Sequence, residues 1–267
     1  MRSISTISRR GLLTAALPLL AGLRPAGADV IFTPEQFIIL PLRIHLLRSQ
    51  VADLNCSLTP ADARKLLAGI NGIWRQAGIQ FYAESLLEEK AEAAGLYASL
   101  EASRTEAHLR LIRPRETRTP ATFHLYLVQE IRPNGVCLEF SHELVFVKAT
   151  AELRRVEGGC REFLPRVSAH ELGHALGLEH RQDTFNLLAS GTTGTLLNET
   201  EIDLSRLNAG KFAGRLTPQQ AMQMAVNRGG NGSALYEVLA ALPGGGVAAE
   251  ARKRLESLRA MRPRPTS

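Results

Sequence analysis

Residues His170, Glu171 and His174 have a spacing that can hold a metal ion and activate a water molecule. On a helix, residues four apart lie on one face, so both imidazoles can reach one ion at about 2.0–2.1 Å. Glu171 is next to the first histidine and is not needed as a ligand, so its carboxylate can act as a base toward water at the metal. The pattern therefore predicts metal-assisted hydrolysis.

Two further residues favour a catalytic site over a structural one. Gly177 tolerates the positive φ that ends a helix, and the chain can then return to present His180 from another direction. Three histidines leave the fourth position of a tetrahedral zinc ion open, as catalytic zinc sites require. The alternative is a buried amphipathic helix with hydrogen-bonded histidines, and the apolar Val167 and Leu172 would pack such a helix in either case.

The extended pattern His-Glu-x-x-His-x-x-Gly-x-x-His at 170–180 resembles the metzincin clan of zinc endopeptidases. The residues at its variable positions are most similar to those of the matrixin-type branch. The resemblance implies one catalytic zinc ion held by His170, His174 and His180, with Glu171 as the general base. It also implies a mixed α/β (α+β) fold, with a mixed twisted sheet, an active-site helix and a C-terminal helical subdomain. The expected substrates are proteins or peptides.

After the third histidine the clan has a tight turn with a methionine, and this chain departs from that pattern with Leu188. Leucine is nearly isosteric, and the methionine is not a ligand, so zinc binding should survive the exchange. By the same resemblance, the segment that follows walls the pocket for the side chain after the scissile bond. The candidate pocket residues are Leu188, Gly191, Thr192, Thr193 and Gly194.

Apolar alternation and capping signals predict the elements that must position this motif. We predict strands at 40–48, 79–84, 123–128 and 144–147, and helices that begin at Thr59 and Thr217 with a proline after each. Residues 86–112 are rich in Glu, Ala, Leu and Arg and predict a second helical region with a solvated acidic face. By the resemblance, residues 142–148 are the edge strand that pairs with extended substrate.

Residues 1–28 have the pattern of an export signal. Arg9 and Arg10 precede an apolar run that is too short and too broken by Pro18 to span a membrane, and small residues at 26–28 suit cleavage. The sequence Ser-Arg-Arg-Gly-Leu-Leu resembles a bacterial twin-arginine signal, with a general secretory signal as the alternative. We therefore expect an exported bacterial protein, periplasmic or secreted.

Removal of this leader changes the charge of the chain. Residues 1–28 hold four arginines and no acidic residue, so the formal net charge falls from +6 to +2, which gives little support to nucleic-acid binding. Residues 29–228 are then the predicted catalytic domain. Residues 229–267 begin with a glycine-rich boundary and form a predicted helical tail of unassigned role. We expect a monomer without stable membrane insertion after signal removal.

The three cysteines can take part in disulfide bonds if the protein is exported. In an oxidising compartment, Cys137 and Cys160 could close a loop just before the motif helix, so we predict a disulfide between them. Cys56 is left as a buried or free thiol. It lies inside the predicted catalytic domain, so a propeptide thiol that blocks the zinc is not expected.

Two other functions stay open beside the zinc endopeptidase. One is an exported zinc-containing binding protein that has lost turnover, which the departure at Leu188 permits and the retention of Glu171 opposes. The other is a zinc hydrolase that acts on a non-protein amide, which would need a differently lined cleft.

Overall fold

The computed structural model describes residues 32–100, 105–115, 119–138 and 144–261, and the predicted export signal at 1–28 lies outside them. The strands form one sheet in the order β2-β1-β3-β5-β4. They are β1 (Ile38–Arg48), β2 (Ile79–Lys90), β3 (Phe123–Val128), β4 (Gly135–Cys137) and β5 (Leu144–Lys148). Strand β1 pairs in parallel with β2 and β3, β3 pairs in parallel with β5, and β4 is antiparallel to β5.

Helices cover both faces of this sheet. They are α1 (Pro60–Trp74), α2 (Ala94–Ser99), α3 (Phe163–Ala175), α4 (Glu199–Lys211), α5 (Pro218–Asn227), α6 (Ser233–Ala240) and α7 (Gly245–Met261). Helices α1 and α3 pack on the face that carries Leu42, Ile44 and Leu125, in a core that also buries Trp74. The predicted mixed α/β architecture with C-terminal helices is confirmed.

Helix α1 begins where the capping signal predicted. The Thr59 hydroxyl accepts a hydrogen bond from the Asp62 N–H (3.2 Å), and the Asp62 carboxylate accepts one from the Thr59 N–H (2.9 Å). Pro60 is the first helical residue, where its missing N–H costs nothing. Thr217 and Gln220 repeat this arrangement at the start of α5.

The prediction of a helical region over 86–112 is wrong for its first part. Strand β2 continues to Lys90, which pairs with Arg48, and helix is limited to α2 and a 3₁₀ segment at Glu106–Ile112. Cross-strand partners explain the difference: Glu88 pairs with Arg48 (2.7 Å), and Glu89 pairs with the buried His45 (2.5 Å). These long-range pairs outweigh the local helix propensity of the acidic residues.

The prediction that residues 142–148 form the edge strand is also wrong. Strand β5 lies inside the sheet between β3 and β4, and the edge is the short β4. Strand β4 comes before β5 in the chain and pairs with it in antiparallel orientation, with Val136 opposite Phe146. Strand β4 therefore occupies the side of β5 that would otherwise be the open edge of the sheet. Residues 142 and 143 of the predicted edge lie outside the described residues.

The C-terminal helices share a core with the sheet. Helices α5, α6 and α7 form a cluster around Ala225, Leu239 and Ala251, and this cluster also contains Ile39 of β1 and Tyr82 of β2. It therefore crosses the boundary predicted at residue 228. Among the described residues, no helix is long and apolar enough to cross a membrane.

Candidate metal centre

Helix α3 positions the first two histidines, and a left-handed glycine brings in the third. The helix ends at Ala175, and Gly177 has φ +84°, which reverses the chain toward His180. Asn208 of α4 donates a hydrogen bond to the Leu176 carbonyl (2.9 Å), and a Cβ at position 177 would lie 2.4 Å from the Asn208 amide nitrogen. Both the backbone angle and this close approach therefore require glycine.

The Nε2 atoms of the three histidines converge on one point. His170 lies 3.1 Å from His174 and 3.3 Å from His180, and His174 lies 3.1 Å from His180. A tetrahedral ion with bonds of about 2.0–2.1 Å holds its ligand atoms about 3.3 Å apart. Within the described part of the chain, His, Cys, Asp and Glu side chains come close enough to bind one metal ion together at these three residues.

Hydrogen bonds at the other ring nitrogens set the tautomers. Nδ1 of His170 lies 2.7 Å from the Leu187 carbonyl oxygen, and Nδ1 of His174 lies 2.7 Å from the Leu178 carbonyl oxygen. A carbonyl only accepts, so each Nδ1 carries the hydrogen and each Nε2 presents a lone pair. Lone pairs this close repel one another unless a cation lies between them, so the arrangement fits a metal ion.

Burial keeps these imidazoles neutral. The pKa of His170 falls to about 3, first because burial disfavours its charged form and second because the Arg166 guanidinium is close. Burial also lowers the pKa of His174, against the effect of its hydrogen bond to the Leu178 carbonyl. Neutral imidazoles bind metal without first losing a proton, so these two residues are prepared as ligands.

Glu171 lies at the wall of the same cleft and is 6% exposed. Its carboxylate accepts a hydrogen bond from the backbone N–H of Cys137 at the end of β4. Burial raises the pKa of Glu171 to about 8, and the Cys137 N–H and Arg166 oppose that rise. Gly135 makes room for this side chain, since a Cβ there would lie 2.7 Å from the Glu171 Cγ. The edge strand thus holds the carboxylate in place.

A buried carboxylate anchors the segment that follows His180. Glu201 of α4 is 1% exposed and accepts hydrogen bonds from Arg181 Nε (2.6 Å), Asn186 Nδ2 (2.7 Å) and the Asn198 N–H (2.9 Å). Asn186 in turn accepts from the Leu188 N–H (2.6 Å). These bonds tie the segment that follows the third histidine to one helix.

The histidines and Glu171 line a cleft of about 810 Å³. Of the five predicted pocket residues, Gly191 lines this cleft, together with Ser190, which the sequence analysis did not select. Thr192 and Thr193 are buried behind the wall, where the Thr192 hydroxyl donates to the Thr184 carbonyl (2.8 Å).

The two remaining pocket candidates also lie behind the wall. A Cβ at Gly194 would clash with the Phe185 carbonyl. Leu188 is fully buried and packs beneath α3 against Gly173.

The predicted disulfide does not form, because Cys137 and Cys160 are both free thiols. Cys137 lies beside Glu171, and its pKa rises to about 12, mainly through burial and further through the Glu171 charge. Cys160 is held elsewhere: its N–H donates to the Thr193 carbonyl (2.9 Å), and its thiol donates to the Glu162 carbonyl (3.3 Å). Cys56 is a buried free thiol, as predicted.

Sequence reasoning missed Arg166, which lies one helical turn before His170. The residue is 1% exposed, and its guanidinium donates to the carbonyls of Gly194 (3.0 Å), Ala189 (2.5 Å) and Asn186 (3.4 Å). Burial lowers its pKa to about 10, so it keeps its charge at neutral pH. Its position four residues before the first histidine, on the same helix face, was the available signal.

No protein-family model and no curated protein matches this sequence. Among solved structures, the chain is similar to an archaemetzincin from Methanopyrus kandleri, with 15% identity over 64% of this chain and 96% of that chain and a TM-score of 0.44. It is also similar to a zinc-dependent peptidase from Methanocorpusculum labreanum, with 12% identity over 63% of this chain and 99% of that chain and a TM-score of 0.31. We therefore derive the function from the side chains of the site.

Proposed function

We propose that the protein is a zinc-dependent endopeptidase, with zinc held by His170, His174 and His180. The observation that carries this proposal is the convergence of three Nε2 atoms at 3.1–3.3 Å, beside a buried carboxylate, in an open cleft. Zinc is favoured because it accepts three imidazoles in a tetrahedral arrangement and leaves one position for chemistry. When bound, it would supply a Lewis acid and lower the pKa of water.

Glu171 is the proposed general base. Its carboxylate follows the first ligand on the helix and lines the same cleft as the three histidines. It would take a proton from that water and then deliver it to the leaving amine nitrogen. The Cys137 N–H orients the carboxylate.

Digestion of a mixed peptide library by the zinc-loaded protein, read by mass spectrometry, tests this function. We expect cleavage by the wild type that a chelator abolishes and that Glu171→Gln reduces by about 10²–10⁴-fold, the usual contribution of a general base. The matched control is Glu237→Gln, an exposed acid on α6, which should cleave like the wild type. Absence of cleavage by folded, zinc-loaded protein would contradict the proposal.

We also propose that the chain is exported in a bacterium and loses residues 1–28. The arginine pair at 9–10 and the small residues at 26–28 support this. N-terminal sequencing of protein recovered from the periplasm or medium should begin at Asp29. The variant Arg9→Lys with Arg10→Lys should stay inside the cell if the twin-arginine route is used, and full-length protein in the cytoplasm of wild-type cells would refute export.

A further inference from the structure

Arg166 is a buried cation that donates its hydrogen bonds to one loop. It is 1% exposed, and its Nε donates to the Gly194 carbonyl (3.0 Å). Its Nη2 donates to the carbonyls of Ala189 (2.5 Å) and Asn186 (3.4 Å). A buried charge is costly unless it is hydrogen-bonded, so these three carbonyls stabilise the guanidinium, and the guanidinium in turn fixes their positions.

The same loop orients the first of the three histidines. The Leu187 carbonyl accepts the Nδ1 hydrogen of His170 (2.7 Å), which leaves the lone pair on Nε2, the atom that faces the other two histidines. Arg166 lies four residues before His170, on the same face of α3. It holds the carbonyls of Asn186 and Ala189, which stand on either side of Leu187 in the chain. The guanidinium therefore fixes the segment that offers the Leu187 carbonyl.

A contact with the imidazole adds to this restraint. Nη1 of Arg166 lies 3.3 Å from Nδ1 of His170. That Nδ1 already donates its hydrogen to the Leu187 carbonyl, so it has no lone pair for Arg166, and the two groups pack without a hydrogen bond. The guanidinium thus occupies the space beside the ring on its Nδ1 side, which limits rotation of the ring away from the carbonyl.

The second histidine of the helix provides an internal comparison. Nδ1 of His174 donates to the Leu178 carbonyl (2.7 Å), and the Leu178 N–H donates to the Gly173 carbonyl (2.9 Å). The Leu178 carbonyl is therefore held by the turn that ends α3, whereas the Leu187 carbonyl is held by the loop that Arg166 fixes. Loss of Arg166 should affect the two histidines differently.

We propose that Arg166 is a positioning residue for the metal site: it holds the Leu187 carbonyl against Nδ1 of His170, which keeps the Nε2 lone pair of that ligand available. The inference rests on the proposed three-histidine site and adds to it a residue outside the His-Glu-x-x-His pattern. Arginine suits this role better than lysine, because a planar guanidinium donates in several fixed directions, whereas an ammonium group donates from one point. Loss of such an outer partner lowers metal affinity by about 10–100-fold.

The test measures the tautomer of each histidine in the metal-free protein at neutral pH, by NMR of the ring nitrogens in isotope-labelled protein. In the wild type, His170 and His174 should both carry their hydrogen on Nδ1. In Arg166→Met, whose side chain is unbranched and has no donor, His170 should become a mixture of the two tautomers while His174 stays unchanged. Zinc affinity, measured by competition with a coloured chelator, should fall by about 10–100-fold.

The matched control is Arg48→Met. Arg48 also donates to backbone carbonyls, including that of Leu58 (2.9 Å), but it lies on β1 and is not among the residues that line the cleft. Its loss should lower stability and leave both histidine tautomers and the zinc affinity unchanged. If Arg166→Met does not fold, Arg166→Lys replaces it, with the same expected mixture at His170 and a smaller loss of affinity.

These readouts need no turnover, so they are independent of the peptidase function. An unchanged His170 tautomer or an unchanged zinc affinity overturns the inference, and so do equal changes at His170 and His174, which indicate general loosening of α3. A change selective for His170, in a protein that cleaves no peptide, overturns the peptidase and retains the inference. Cleavage with an unchanged tautomer does the reverse, and wild-type protein that binds no zinc overturns both.

Discussion

The residue-scale chemistry of this protein depends on where hydrogens are placed. His170 and His174 each donate from Nδ1 to a carbonyl, at Leu187 and Leu178, and these bonds turn both Nε2 lone pairs toward His180. The backbone thus selects the tautomer before any metal arrives, which reduces the reorganisation that binding requires.

Zinc should stabilise the folded chain through these nitrogens. At a free zinc concentration about 1,000 times the Kd, the free energy of unfolding should rise by about 4 kcal/mol. His174→Gln should remove most of this gain, while His108→Gln, a half-buried residue that does not line the cleft, should retain it. Chemical denaturation with and without chelator measures both, and an equal gain in the two variants would disprove the three-histidine site.

The metal-free protein should lose stability in mild acid. Burial holds the pKa of His170 at about 3, below its ordinary value of 6.5, so the unfolded chain binds more protons between these limits. The stability that neutral His170 provides is complete above pH 6.5 and should be lower by about 2 kcal/mol at pH 5. Urea unfolding at several pH values should show this slope, with a flatter one in His170→Gln.

At the scale of elements, helix α4 acts as a support for the metal loop. It contributes Glu201 to the segment after His180 and Asn208 to the turn at Gly177, so one helix fixes both ends of the loop that carries the third histidine. Asn198 caps the same helix at its first turn, and its N–H donates to the Glu201 carboxylate. Helix stability and metal geometry are therefore coupled.

Replacement of Glu201 should test this coupling. Glu201→Ala leaves the buried Asn186 amide without its acceptor and the half-exposed Arg181 without its partner, and should cost about 1–3 kcal/mol of stability, as loss of the acceptor of a buried donor does. Zinc affinity should fall by about 10–100-fold, the usual effect of losing an outer partner of a ligand. The control is Glu199→Ala, exposed in the same helix. Calorimetry with zinc measures the affinity, and an unchanged Kd would show that the loop holds without α4.

At the scale of the whole molecule, the sheet contributes to three hydrophobic clusters among the described residues, and two of them connect the metal helix with the C-terminal helices. One face packs on α1 and α3, and the opposite face carries Ile39 and Tyr82 into the cluster of α5, α6 and α7. Strands β1 and β2 contribute to both cores, so the C-terminal helices and the metal helix share the same sheet. We therefore expect them to unfold together.

The single tryptophan makes this expectation measurable. Trp74 is fully buried at the end of α1 and lies against Gly173 of the metal helix. Leu239→Ala, in the distant C-terminal cluster, should cost about 2–5 kcal/mol and shift the Trp74 fluorescence transition by that amount. Met261→Ala, at an exposed position of α7, should not shift it. A shift seen by circular dichroism alone would indicate separate domains.

Local patterns predicted the parts of the fold that depend on local geometry. The caps at Thr59 and Thr217, the helix through His170 and His174, and the turn at Gly177 all follow from spacing within one or two helical turns. The prediction made strand β2 too short, because Glu88 and Glu89 find their partners on β1. Glu88 pairs with Arg48, and Glu89 pairs with His45, which lies 44 positions earlier in the sequence. Pairing of this kind has no local signal.

The sequence by itself determined the metal-binding chemistry. The helical repeat places the two histidines on one face of a helix, and the glutamate is next to the first histidine. Only the tertiary structure decided that β4 is the sheet edge and orients Glu171 through the Cys137 N–H. It alone showed that the thiols of Cys137 and Cys160 stay apart and that Arg166 lines the cleft. Those contacts join segments distant in sequence, and their geometry depends on packing of the whole chain.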